Sequence, residues 1–336
     1  MTPMYTRDQC RAAFMAIMIG DAMGQPVETM TAPEILAATN GRGVTGFIDP
    51  IQTRIKQNRQ LKAGDTTDDW QLTAVMARSL SSQGGFNIFN IAYAHVEAAT
   101  NPIGWGSTTL RAVRELDVWF QTGAKEGRSP IVPAPSFGSS KGAGNGVAMK
   151  VMPLVLWHGL RSYQRHQSYQ EIKQLGQLTH SASEAYRAAF LLGRTMSMMA
   201  TQPPRLIVQH LYQDAIRYFD PEDASSERLR ASVEALRDNV GNMRALEERI
   251  TPGFMASESV IYAIGVALSM PDDYRGAVLT AVNAGLDSDS TAAIAGMLVA
   301  LRTGTVGIPE EWIGFRPEFA QAYEMADQLY AAAMGA

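Results

Sequence analysis

The chain is 336 residues long, 46% hydrophobic and 18% charged, which excludes an intrinsically disordered polymer and supplies enough apolar surface for a sizeable core. Lysine and arginine number 29 against 33 aspartate and glutamate, a net charge of −4, so the concentrated positive field that general nucleic-acid binding needs is missing. A single cysteine, Cys10, leaves no intramolecular disulfide and no cysteine-rich zinc site; it reads as a small buried hydrophobe and fits a reducing, cytoplasmic location.

Long windows rich in Ala, Leu, Met, Gln, Glu and Arg, with few alternating Val, Ile or Thr runs, predict an all-α fold in one compact domain over residues 1–336. The first predicted helix covers about residues 8–20. Its apolar run is too short for a membrane span, Asp21 interrupts it, and no small-residue cleavage site follows, so neither a membrane anchor nor a secretory leader is expected. Helices follow at about 69–82, 88–99, 107–121, 146–159, 182–200 and 204–218, then at about 225–247, 256–269, 273–283, 290–302 and 317–333. The stretches 40–64 and 123–146 are polar or rich in Gly, Pro and Ser, and irregular segments of that length commonly carry function. No repeat at a period of 30–50 residues indicates a solenoid.

Several common catalytic layouts are absent. There is no G-x-S-x-G elbow and no H-E-x-x-H, and His95, His158, His166, His180 and His210 lack metal-ligand spacing. The cluster Gly142-Ala143-Gly144-Asn145-Gly146 has neither the Lys-Ser/Thr pair of a phosphate-binding loop nor a preceding strand. Trp105, Trp119, Trp157 and Tyr262 fall at helical core positions, whereas Phe137, in the loop ahead of the glycine cluster, is a candidate for contacting a base or ribose.

Carboxylates carry more information. Gly64-Asp65-Thr66-Thr67-Asp68-Asp69 precedes the helical pattern from Trp70, and Gly285-Leu286-Asp287-Ser288-Asp289-Ser290 precedes the one from Thr291. The plain explanation is N-capping, since Asp, Ser and Thr satisfy the free N–H groups of a helix start. Capping needs only one side chain, however, and each cluster crowds two carboxylates beside a hydroxyl, an arrangement that a hard divalent cation relieves. If the two starts converge, their oxygen donors suit a pair of Mg²⁺ or Mn²⁺ ions. Asp287 and Asp289 also match the D-x-D-x-T loop of haloacid-dehalogenase-type phosphotransferases; that reading requires a buried strand over 280–285, where the sequence is a poor strand former.

Five segments in order together resemble the ADP-ribosylglycohydrolase family. They are Gly20-Asp21-Ala22-Met23-Gly24-Gln25-Pro26-Val27-Glu28, Thr67-Asp68-Asp69, Gly144-Asn145-Gly146 running on to Pro153, Thr179-His180, and Asp287-Ser288-Asp289-Ser290 leading to Ala295-Gly296. The resemblance implies a metal-dependent hydrolase that cleaves the glycosidic bond between ADP-ribose and a modified side chain, arginine being the leading acceptor. It also implies that Thr67, Asp68, Asp69, Asp287, Asp289 and Ser290 hold two Mg²⁺ or Mn²⁺ ions. Glu28 would sit by the scissile bond with Asp68 and Asp289 as its catalytic companions, while Gly144, Asn145, Gly146 and His180 would contact the ADP part. Asp21 would cap a local turn or support the ion ligands from behind. The partner would be an ADP-ribosylated protein or a small ADP-ribose conjugate. The sequence departs from the family pattern at Trp70, at Ser290 in place of threonine, and at Ala284-Gly285-Leu286 in place of a double glycine. Those departures leave two alternatives, a non-catalytic ADP-ribose or nucleotide binder and a hydrolase of another conjugate, with serine, a small molecule or nucleic acid as acceptor.

Overall fold

Several helices begin at a side-chain cap, Thr6, Asn87, Asp223, Asn242 and Asp273 among them, and continue where the sequence offers an apolar face. The computed structural model describes residues 3–51, 60–125, 137–161, 164–219 and 223–335. In chain order the helices are α1 (Arg7–Gly24), α2 (Ala32–Ala38), α3 (Asp68–Gln83), α4 (Ile88–Ala98), α5 (Ser107–Lys125), α6 (Met152–Arg161), α7 (Arg165–Thr179) and α8 (Ser183–Met199). They continue with α9 (Pro204–Tyr218), α10 (Ala224–Asn239), α11 (Met243–Glu247), α12 (Ala256–Ser269), α13 (Tyr274–Ala284), α14 (Ser288–Thr303), α15 (Glu310–Ile313) and α16 (Ala320–Met334). Among the described residues extended pairing is confined to three isolated bridges, so the fold is all-α, as expected. The stretch 280–285 belongs largely to α13, which removes the buried strand that the phosphotransferase reading needs.

α1 is the axis of the molecule. Thr6 accepts from the Gln9 amide at 3.1 Å in a capping box, and every residue from Ala12 to Gly24 is buried, Asp21 included. Its main neighbour is α14. Gly20 and Gly24 lie four residues apart on one face of α1, and a Cβ on either would stand 2.4 Å from backbone of α14, at Ala293 and Asp289 respectively. The two helices therefore cross in direct backbone contact, and the start of α14 is set against the end of α1. The Ser288 hydroxyl donates to Gly24 O at 2.8 Å across the same junction. On the far side Arg7 and Arg11 both bind Asp327 of α16, at 2.7 and 2.5 Å.

Three expectations are corrected. Residues 225–247 are two helices, α10 and α11, parted at Gly241 with φ +87°, a left-handed conformation that suits glycine. The helix expected from residue 146 begins at Met152, after a short 3₁₀ turn at Ala148–Lys150, as Pro153 at its start favours. α2, α7 and the short α15 are additional; α7 buries Ser168, Ile172, Leu175, Gly176, Leu178 and Thr179, a stripe too mixed in polarity to read as a core face. Parts of the two long irregular stretches, 52–59 and 126–136, lie outside the described residues. Phe137 lines an apolar surface hollow with Val118 and Trp119 of α5. Among the described residues no helix is long and apolar enough to cross a membrane.

Candidate active site

The starts of α3 and α14, some 220 positions apart in sequence, meet. Ser290 Oγ donates to Asp69 Oδ2 at 3.0 Å, and Thr67 Oγ1 lies 3.5 Å from Asp289 Oδ2. Thr67, Asp69, Asp287, Asp289 and Ser290 are all buried, while Asp68 and Glu28 are half-buried at the edge.

Capping does not explain these side chains. Neither N-cap residue, Thr67 for α3 or Asp287 for α14, makes a side-chain capping bond. The start of α3 is capped from another helix: Asp21 of α1 accepts from the Thr67 and Trp70 amides at 2.9 Å and from the Thr67 hydroxyl at 2.7 Å. Asp21 thus stands behind the cluster and fixes its first half, one of the two roles open to it in the sequence. Trp70, one of the departures from the family pattern, turns into the core, where its ring meets Phe14 edge-on with centroids 6.5 Å apart.

A strained backbone clasp fixes the second half. Thr29 N–H donates to Leu286 O at 2.7 Å and Leu286 N–H to Met30 O at 2.6 Å. Thr29 (φ +73°) and Leu286 (φ +55°) are both left-handed, a cost that persists only where surroundings impose it. Between them Gly285 (φ +79°) has no room for a Cβ, which would stand 2.3 Å from Met30 O. The clasp brings Glu28 beside Asp287, whose proton affinity its charge raises. Asn145, expected to contact the ADP part, donates from Nδ2 to Asp287 Oδ2 at 2.6 Å and to Ser259 Oγ at 3.1 Å. Its loop is held by Gly144 pairing with Met255, just ahead of α12. His180 lies against the same loop, and a Cβ on Gly146 would be 2.4 Å from its Cε1.

Such crowding has an electrostatic consequence. Burial, then the charges of Asp289, Asp21, Asp68 and Asp287, push the Asp69 carboxyl well above the usual carboxylate range. Burial, Asp289 and Glu28 do the same to Asp287, and burial with Asp289 takes Asp21 up to about 8. Asp69 Oδ1 is buried and has no hydrogen-bond partner among the described residues, an expensive state for a carboxylate oxygen. Among those residues no three carboxylate, imidazole or thiol groups are grouped closely enough to hold an ion unaided. The donor set adds the hydroxyls of Thr67 and Ser290, and an all-oxygen set of repelling carboxylates with one orphaned oxygen fits a hard divalent cation.

Sequence reasoning missed several contributors. Ser259 and the carbonyl of Pro252, which accepts from the Asp287 amide at 3.2 Å, carry no sequence signal. Gln71 binds the 101–105 segment through Trp105 Nε1 at 2.5 Å and Ile103 N–H at 3.2 Å, which brings Gly104 against Thr67 and Asp68. Lys150 does carry a signal, being a lone charge within an apolar run.

The chain resembles known proteins over nearly its whole length. The chain is 26% identical over 327 residues to the ADP-ribosyl-[dinitrogen reductase] glycohydrolase of Rhodospirillum rubrum, covering 93% of this chain and 92% of that one. It is 26% identical over 326 residues to an ADP-ribosylarginine hydrolase of Pseudomonas putida (93% and 75%). A solved structure described as an ADP-ribosylglycohydrolase-related protein complex superposes with a TM-score of 0.71 at 21% identity, over 98% of this chain and 99% of that one, and shares the fold. The model of the ADP-ribosylglycohydrolase family matches residues 2–336, and the chain belongs to that family of enzymes.

Proposed function

We propose that this chain, acting as a single domain, hydrolyses the glycosidic bond between ADP-ribose and a modified side chain, with arginine as acceptor. The observation that carries the reading is the meeting of the α3 and α14 starts, with Ser290 Oγ 3.0 Å from Asp69 Oδ2. Thr67, Asp68, Asp69, Asp287, Asp289 and Ser290 would hold two Mg²⁺ or Mn²⁺ ions. When bound, the ions supply orientation of the ribose hydroxyls and a lowered pKa for water.

The chain's own residues supply the rest. Cleavage breaks the bond from ribose C1 to the acceptor nitrogen, places the hydroxyl of water on C1 and returns a proton to the leaving guanidine. Glu28, half-buried beside Asp287, would take a proton from the attacking water or gate the ions. Asn145 and Asp21 hold the two acidic strings in register from behind. The Gly144–Gly146 loop, with the His180 ring packed where Gly146 has no Cβ, would contact the pyrophosphate through its backbone N–H groups.

The test is release of ADP-ribose from ADP-ribosyl-arginine with Mg²⁺ or Mn²⁺ and with a chelator. Turnover that is lost on chelation and absent in Asp68→Asn and Asp289→Asn is the expected result. Metal-independent release at full rate would remove the ion-binding role, and no release from any ADP-ribosyl-arginine substrate would remove the assigned acceptor.

A further inference from the structure

One buried charge has no part in that mechanism. Lys150 ends the 3₁₀ turn that follows the Gly144–Gly146 loop, and its side chain is wholly enclosed. Burying a lysine is costly unless its hydrogens are used, and two partners use them: Nζ lies 3.2 Å from His95 Nε2 and 3.1 Å from Thr179 Oγ1. Thr179 Oγ1 in turn lies 3.1 Å from His180 Nδ1. These contacts form a chain running from α4 to the imidazole beside the glycine loop.

The direction of the bonds as far as Thr179 follows from one end. His95 Nδ1 lies 2.7 Å from Ile91 O, and a carbonyl only accepts, so Nδ1 carries the hydrogen. Burial, with Lys150 nearby, lowers His95 to about 3, so the ring is neutral and Nε2 accepts. Lys150 must then donate to His95, and its next hydrogen goes to Thr179. Burial brings Lys150 down to about 7, and amine and ammonium alike have the two N–H groups required. Thr179 Oγ1, accepting from Lys150, still has its own hydrogen to place, and His180 Nδ1 at 3.1 Å is the acceptor the structure gives it. His180 is likewise lowered to about 3, by burial and then by Lys150. A neutral imidazole that accepts at Nδ1 carries its hydrogen on Nε2. That Nε2 would lie 3.7 Å from a Cβ on Gly144 and makes no hydrogen bond among the described residues.

We infer that His95, Lys150 and Thr179 are positioning residues that hold His180 in its Nε2–H form, a neutral donor presented beside Gly144 to the polar part of ADP-ribose. The identity of the ligand rests on the function proposed above; the tautomer does not. The relay also accounts for a lysine where the surrounding run Val147–Leu156 is otherwise apolar and buried, because a leucine or methionine there would leave Thr179 free to reverse its hydroxyl.

The experiment reads the tautomer and the affinity separately. Imidazole ¹⁵N NMR of the whole metal-free protein, assigned by loss of the His180 signals in His180→Gln, reports which ring nitrogen is protonated. The Nε2–H form is expected in the wild type and in Thr179→Ser with the Nδ1 resonance of a hydrogen-bonded acceptor, and that Nδ1 resonance moves to the position of a bare acceptor in Thr179→Val and shifts in Lys150→Met. ADP-ribose titrated calorimetrically with Mn²⁺ present should bind about tenfold more weakly to Thr179→Val, the effect of one misdirected hydrogen bond. Thr179→Ser should restore affinity, and kcat at saturating substrate should stay within about twofold in all three, as for contacts shared by ground and transition states. An Nδ1–H form in the wild type, or an unchanged Nδ1 resonance in Thr179→Val, overturns the relay. Because the tautomer is read without ligand, failure of the wild type to bind ADP-ribose would overturn the functional reading while the relay is still judged by NMR.

Discussion

Gly24→Ala tests how closely the site depends on backbone contact between two helices. A Cβ at Gly24 would stand 2.4 Å from Asp289 Cα and 2.4 Å from Ser288 O. Ordinary contact begins at 3.4 Å, so the start of α14 must retreat by about 1 Å, and misplacing a catalytic group by that distance costs on the order of 10²-fold in rate. Overpacking at a rigid contact also costs about 1–3 kcal/mol of stability. Gly20→Ala provides the comparison, because its Cβ would meet α14 equally closely at Ala293, one turn beyond Asp289. Both variants should therefore lose similar stability by calorimetry, while Gly24→Ala loses distinctly more kcat/KM on ADP-ribosyl-arginine at saturating Mn²⁺. Gly46→Ala, with nothing within 4 Å, should match the wild type in both measurements. Wild-type turnover in Gly24→Ala would refute the claim that this crossing sets the position of Asp289.

Asp69→Asn, which removes a buried charge repelled by its neighbours, should raise the metal-free Tm at pH 8 while weakening Mn²⁺ binding at least about tenfold by calorimetry. Because Asp69 and Asp287 hold protons above the usual range, ion and proton compete, so Mn²⁺ affinity should rise with pH beyond the ordinary carboxylate range; a flat profile would contradict the raised affinities. Asp327 is held well below the ordinary range by hydrogen bonds from Arg7 and then Arg11, and a depressed carboxylate stabilises above its unfolded value of about 3.9 and ceases to as pH falls through the folded one. Asp327→Asn should accordingly lower Tm by a few degrees at pH 7, with the gap from wild type closing in acid. Thr29→Gly relieves a left-handed β-branched residue, a relief of about 1 kcal/mol; a Tm well below wild type would show that the clasp depends on the threonine side chain.

Much of the molecule was legible in the residue order because its signals are local. The helical period, the apolar run that became α1, and the two acidic strings each ahead of an apolar helix are properties of short windows, and they led to an all-α fold and to the correct pair of helix starts. α7 escaped because its buried face includes Ser168, Gly176 and Thr179 beside only three large apolar residues, too thin a stripe to separate from a polar loop. Family resemblance marked Trp70 as a departure, yet a residue type carries no direction, and the helix turns that ring onto Phe14.

Composition and periodicity determined that this chain would be helical and would gather carboxylates where helices begin, since both follow from bonds and side chains within a few residues of each other. Tertiary structure alone decided that Asp21 caps α3 from a different helix, that Asn145 faces Asp287 rather than open solvent, and that Lys150 joins His95 to Thr179. Each of those contacts closes a loop of 29 to 142 residues, and only a core already packed around Gly20 and Gly24 holds such distant groups within hydrogen-bond range.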